Sequence, residues 1–168
     1  MPLITLWLDQ NKKLEGKTET DIKTKPASYH EACIKRVEGV IHQPLVKRSR
    51  ITYSTADDSV RIVCAVSKPY EKSDHTLFWF AFHPHQKDYL EGVQAGYLAF
   101  GCGTDKTLLV IPFQEYAAWL EGMNITEDGE RFFWHVNIIK DDRGLSLYRK
   151  KGFTGIDLNK FLVVNKGN

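Results

Sequence analysis

The sequence contains few cysteines, and none of their spacings is that of a zinc site. The three present, Cys33, Cys64 and Cys102, are far apart and odd in number, which predicts buried thiols of a reducing compartment. No apolar run approaches the length of a transmembrane helix. The opening residues MPLITLWLDQNKK lack a basic region and a small-residue cleavage site, so they predict no signal peptide. We therefore expect a cytoplasmic protein without a membrane partner.

The charges of the chain nearly cancel, to a formal net charge of +2, but they are unevenly distributed. Residues 69–130 contain ten Asp or Glu, three Lys and no Arg. Basic residues cluster at Lys47, Arg48 and Arg50, and again at 149–151. Such clusters can bind phosphate, although solvated strand ends have the same composition. The acidic middle of the chain could instead meet a basic protein partner.

A length of 168 residues suits one domain of ordinary size. Residues 9–25 are polar and nearly free of large apolar side chains, which is typical of a linker or a mobile segment. We therefore divide the chain into an N-terminal segment, 1–25, and a single α/β domain, 26–168. The linker also indicates that the domain is a module of a larger multidomain protein. The alternative is that two copies of the domain form a homodimer.

The apolar patterns predict a mixed α/β fold. Ser28 and Glu31 have capping-box spacing, and apolar residues at helical period then predict a helix over 28–41. Strands are predicted at 45–54, 60–67, 76–83, 96–101 and 107–112, helices at 85–93 and 113–123, turns at 56–59 and 126–129, a hairpin of 132–139 with 145–150, and a short strand or helix within 156–164. We expect a central mixed β-sheet of about five to seven strands flanked by about three helices. Strand 76–83 should lie in that sheet and be buried on both faces.

The order of helix, hairpin and strand from Ser28 to Phe82 resembles the core of the PD-(D/E)XK nucleases, the restriction-endonuclease-like superfamily. In that family a carboxylate opens one strand, Glu-x-Lys follows on the next, and an acidic residue of the first helix often helps. The later runs FWFAF, GYLAFGCG and TLLVIP are also similar to members of the superfamily, so the resemblance covers about residues 28–123. It implies a Mg²⁺-dependent endonuclease that acts on DNA in a restriction or defence system.

Carried over to this chain, the resemblance implies Asp58 as the strand carboxylate, with Asp57 as its alternate, and Lys68 as the lysine. Glu38, or Glu31, would be the helix acid. Asp58 and Glu38 would hold Mg²⁺, which polarises the phosphate, while Lys68 would orient the attacking water. Lys47, Arg48 and Arg50 would hold the DNA backbone.

The motif is incomplete, because Val66 stands two residues before Lys68, where the family has Glu or Asp. Either Glu71 or a helix glutamate substitutes for the missing acid, or the domain is a degenerate relative that binds DNA without cutting it. A third interpretation is that Asp57 and Asp58 are plain turn residues.

Aromatic residues offer a different kind of site. A pocket lined by several of them could stack a flipped or modified base, although each also suits the core: Trp79, Phe80, Phe82, Tyr97, Trp119, Phe133 and Trp134. Trp79 and Trp134 are the candidates for DNA binding, and strand alternation predicts that Trp134 and His135 point to opposite faces. The alternative to a nuclease is thus a non-catalytic DNA-recognition module.

Two histidines flank a proline in His83-Pro84-His85, and a third, His135, lies on a later predicted strand. Their spacing suits a metal site or an acid–base pair. The interpretation that we favour is a hydrogen-bonded strand end, with Pro84 stopping the strand.

Overall fold

The computed structural model describes residues 26–164, with side chains from residue 29 onward. The N-terminal segment 1–25, with its polar part 9–25, lies outside the described residues. The first helix, α1, spans Pro26–Ile41 and so begins two residues before the predicted start, with proline in its first turn. Cys33, Ile34 and Val37 form its buried face. The predicted helix is confirmed.

Eleven strands and two further α-helices follow within the described residues. The strands are β1 Val46–Lys47, β2 Thr52–Ser54, β3 Val60–Ser67, β4 Tyr70–Glu71, β5 Thr76–Phe82, β6 Ala95–Cys102, β7 Leu108–Pro112, β8 Ile125–Asp128, β9 Arg131–Asp141, β10 Gly144–Tyr148 and β11 Ile156–Asp157. The helices are α2 Pro84–Glu91 and α3 Phe113–Ala117, with 3-10 turns at Leu120–Gly122 and Asn159–Phe161. The mixed α+β class is therefore confirmed.

The strands form two sheets rather than the one that we expected. The first sheet has the order β1-β2-β3-β6-β7 and is mixed, because β3 and β6 are parallel while the other pairs are antiparallel. The second sheet has the order β11-β10-β9-β5-β4, with β8 beside β9, and all its pairs are antiparallel. The prediction that strand 76–83 joins strand 60–67 in one sheet is wrong, since β5 pairs with β4 and β9.

Three layers make up the domain: α1, the first sheet and the second sheet. One apolar cluster joins α1 to the first sheet through residues such as Val37, Ile62 and Cys64. A larger cluster joins the two sheets and includes Phe78, Phe80, Phe82, Phe100, Val136 and Ile138. Glycine at 101 permits the close approach of α1, because a Cβ atom there would lie 2.8 Å from the Sγ atom of Cys33.

The second sheet has one buried face and one open face. Phe78, Phe80 and Phe82 point inward and are buried, whereas the side chain of Trp79 between them is 36% exposed. The expectation that β5 is buried on both faces is therefore wrong. Within residues 26–164, no helix or strand covers the outer face, and no helix is long and apolar enough to cross a membrane.

Other predicted boundaries shift for local reasons. Residues 126–129 are largely strand β8, and the turn falls at Gly129, which has a positive φ of 63°. The predicted strand 45–54 is two short strands, because the Ser49 hydroxyl accepts the backbone N–H of Thr52 and bends the chain between them.

Candidate nucleic-acid interface

Asp57 and Asp58 lie in the tight turn between β2 and β3. Arg61 donates two hydrogen bonds to the Asp58 carboxylate, from Nε at 3.0 Å and from an amino nitrogen at 2.7 Å. These bonds lower the pKa of Asp58 below its usual value. The Asp57 carboxylate accepts hydrogen bonds from Thr55 and Ser59. Both acids therefore stabilise the turn.

Lys68 lies far from Asp58. Asp58 precedes the first residue of β3 by two positions, and Lys68 follows its last residue by one. Ten residues of nearly extended chain separate them by about 33 Å, at ~3.3 Å per residue. The predicted catalytic set of Asp58 and Lys68 is therefore not brought together, because both residues belong to opposite ends of one strand.

Glu38 is also engaged elsewhere: its Oε2 atom accepts the backbone N–H of Leu45 at 2.7 Å, just beyond the end of α1. Among residues 26–164 no three His, Cys, Asp or Glu side chains are grouped so that they could hold a metal ion. The residues proposed for Mg²⁺, Asp58 and Glu38, thus do not fit a metal site in the described part of the chain.

The nuclease pattern places its metal-binding acids at one end of the hairpin of β2 and β3, and the antiparallel pairing of these strands identifies the residues at that end. The start of β2 lies beside the middle of β3, with Thr52 opposite Val63 and the Ile51 carbonyl accepting the N–H of Cys64. At this end the chain has Arg50 before β2 and Val66 within β3. An arginine and a valine cannot coordinate a divalent cation.

A pocket of about 440 Å³ occupies this end of the hairpin; we call it the basic pocket. It is lined by His30, Lys47, Arg50, Ile51, Ala65, Val66, Ala81, His83 and Gln86. It lies beyond the start of β2, where the last residues of β3 have no strand paired on that side. The lining has two cations and no carboxylate, so it favours an anionic or acceptor-rich ligand.

Arg48 does not line the basic pocket, although the sequence placed it in one patch with Lys47 and Arg50. Its Nε atom donates to the hydroxyl of Ser54 at 2.7 Å, and an amino nitrogen donates to the carbonyl of Thr55 at 3.4 Å. These two bonds hold Arg48 against the turn between β2 and β3, so two of the three predicted cations share the pocket.

His83 and Gln86 enter the pocket from the start of α2. Pro84 takes the first helical position, and the Oε1 atom of Gln86 accepts the backbone N–H of His83 at 2.9 Å. This bond belongs to a capping box, a signal that the spacing of Pro84 and Gln86 could have revealed in the sequence. Burial, and then the nearby charge of His85, lowers the pKa of the His83 ring.

An aromatic strip runs from the pocket across the open face of the second sheet; its members are His85, His83, Phe133, His135 and Trp79. The His83 ring stacks on His85 at 5.5 Å and contacts Phe133 at 5.5 Å between centroids. Phe133 in turn lies 5.0 Å from His135 and 6.3 Å from Trp79. The strip is continuous and partly exposed.

Hydrogen bonds hold the far end of the strip in one arrangement. The indole N–H of Trp79 donates to Nδ1 of His135 at 3.1 Å, so that nitrogen carries no proton. The Nε2 atom of His135 therefore carries the proton and donates to the Thr126 hydroxyl at 2.6 Å. Trp79 is thus presented to solvent with its orientation fixed.

Trp134 lies on the other side of β9. It packs against Phe82 and Phe132, at centroid distances of 5.7 and 5.0 Å, and joins the core between the sheets. The prediction that Trp134 and His135 face opposite ways is confirmed. The prediction that both tryptophans offer a surface for DNA is corrected, because only Trp79 lies in the strip.

No protein-family model, curated protein or solved structure matches this chain. The resemblance to the restriction-endonuclease-like superfamily therefore rests on the residues and their order alone.

Proposed function

We propose that this domain is a non-catalytic DNA-recognition module. One observation carries the proposal: His83 belongs both to the wall of the basic pocket and to the aromatic strip. A cationic site for the backbone and a surface for bases therefore form one continuous interface. Proteins that bind single-stranded DNA combine these two features at neighbouring positions.

Lys47 and Arg50 would bind the phosphate backbone. Their positive charges stand at the pocket with no carboxylate among its lining residues. Contacts of this kind release counterions from DNA and are not specific for sequence. They position the strand beside the strip.

The aromatic strip would bind bases by stacking. Base pairs in a duplex are stacked on each other, so rings on an open sheet face reach only bases that are unpaired or turned out of the helix. Trp79, at the exposed end, and Phe133, at the centre, are the rings that offer this surface. The ligand that fits is DNA with at least one unpaired base.

The test is fluorescence anisotropy with a labelled single strand over a range of salt concentrations. Replacement of Lys47 and Arg50 together by alanine should weaken binding to every sequence about equally. It should also reduce the slope of log affinity against log salt by about 1.4, at ~0.7 per phosphate contact on a single strand.

The matched control removes two lysines that are exposed and lie outside both basic clusters and the basic pocket, Lys35 and Lys106. It changes the net charge by the same amount and should leave the slope unchanged. Equal effects of the two double variants would remove the pocket from the interface. No binding at low salt would refute the DNA proposal and favour a protein partner.

A further inference from the structure

The side chain of Gln86 is 3% exposed, yet it lines the basic pocket. Its Oε1 atom accepts the backbone N–H of His83, which fixes the amide, because Nε2 could not accept in that place. Within residues 26–164 the Nε2 atom has no hydrogen-bond partner. The Nε2 atom is also not fully buried. Among these residues the Tyr116 hydroxyl is the one fully buried side-chain polar atom without a hydrogen-bond partner, so Nε2 must be accessible from the pocket.

The amide nitrogen of Gln86 therefore offers its hydrogens to the pocket. The charged groups beside it, Lys47 and Arg50, are also donors without an acceptor atom. A ligand seated there must present acceptors, such as carbonyl oxygens or ring nitrogens.

The floor of the basic pocket is apolar. Ile51, Ala65, Val66 and Ala81 contribute it, and the two alanines leave the space that larger side chains would fill. A phosphate loses hydration against such a floor, whereas a planar ring gains by covering it. The cations thus suit the backbone, and the floor suits a base.

We propose that the basic pocket receives one unstacked DNA base of the keto class, thymine or guanine, and that Gln86 Nε2 donates to its carbonyl oxygen. The inference rests on the proposed DNA binding and adds the class of base. Gln86 is the specificity-determining residue of the pocket, and the ring of His83 forms the wall that leads to the strip.

Discrimination follows from the fixed amide. Cytosine and adenine carry an amino group where thymine and guanine carry the corresponding carbonyl, so a cytosine or adenine seated in the same pose turns that amino group toward Nε2 and sets donor against donor. Gln86 cannot turn its amide over without losing the bond to the His83 N–H. A mismatch of this kind should reduce affinity about tenfold, within the range of base-edge contacts.

The experiment uses four duplexes of identical sequence, each with a single bulged base, and measures their dissociation constants by anisotropy with the whole chain. Bulged thymine and guanine should bind about tenfold more tightly than bulged cytosine and adenine. Comparing thymine with guanine then separates the two keto bases by ring size.

The substitution Gln86→Glu should reverse the preference between the two classes of base. One carboxylate oxygen still accepts the His83 N–H, and glutamate is favoured at this position of a capping box, so the fold is retained. The other oxygen now accepts, and the preference should shift to cytosine and adenine. Because the added charge weakens all binding, the ratio between bases is the readout.

Ala81→Leu is a second variant, which fills the pocket. It should bind the four bulged duplexes with the same affinity, while the slope of log affinity against log salt should stay unchanged. Equal affinity of the native chain for all four bases, with a normal salt slope, would overturn this inference and leave the proposed function standing. Absence of any binding would overturn the proposed function itself.

Discussion

Replacement of Trp79 by alanine should weaken DNA binding with a modest loss of stability. Stacking on an aromatic side chain contributes about 1–3 kcal/mol per base, which corresponds to roughly 5- to 150-fold in affinity. Trp79 is 36% exposed on a sheet face that no described element covers, so its ring is available to a base. Anisotropy with a single strand measures the loss.

The stability cost of Trp79→Ala can be derived from its contacts. The variant loses the hydrogen bond to His135 and the edge contact with Phe133, at about 1 kcal/mol each. A loss of about 2 kcal/mol lowers the melting temperature by several degrees in a domain of this size. Calorimetry and denaturant unfolding test this value.

Trp134→Ala is the matched control, because Trp134 lies on the inner face of the same sheet. It should cost more stability than Trp79→Ala, since it leaves a cavity between the sheets. Its folded fraction should bind DNA as the native chain does. If Trp79→Ala folds normally and keeps full affinity, stacking on the strip is refuted.

Two further predictions concern titration and chemistry. The folded pKa of His83 is depressed below its ordinary value of 6.5, so the unfolded chain takes up its proton first and the free energy of unfolding should fall as pH drops below about 6.5. A bound phosphate favours the charged ring, so DNA affinity should rise over the same range. His30 and His85 lie beside His83 and also titrate. The contribution of His83 to the pH dependence of stability and of DNA affinity is therefore the difference between the native chain and His83→Asn. Asp58→Asn should bind DNA like the native chain, and neither protein should cleave DNA with Mg²⁺ in a gel assay; cleavage that the substitution abolishes would restore the nuclease interpretation.

Local patterns predicted most of the elements but not how the strands pair. The runs at β3, β5, β6 and β7 were placed to within one or two residues, since apolar runs and turn residues are local signals. The partner of β5 is set by packing between Phe80, Val136 and Phe100, which are distant in sequence. Strand β5 appeared buried on both faces because Trp79, an aromatic residue, is on its open side.

The candidate site was predicted in part. Lys47 and Arg50, which composition suggested, line the basic pocket, and Trp79 lies exposed in the aromatic strip. The separation of Asp58 and Lys68 could have been predicted, because both were assigned to the ends of one strand. Gln86 could not have been singled out, since its importance depends on a free amide nitrogen that only the three-dimensional arrangement reveals.

The edges of both sheets bear on how copies of this protein meet. Strands β1, β4 and β11 have two residues each, and β8, with four, carries Glu127 and Asp128. The other terminal strand of the first sheet, β7, is bridged at Leu109 by Leu162. Short and charged edges offer few backbone groups to another strand, so extension of a sheet from one copy into the next is disfavoured. A homodimer of this domain would therefore have to form through side chains on a face, and the open face of the second sheet is the one that DNA would occupy.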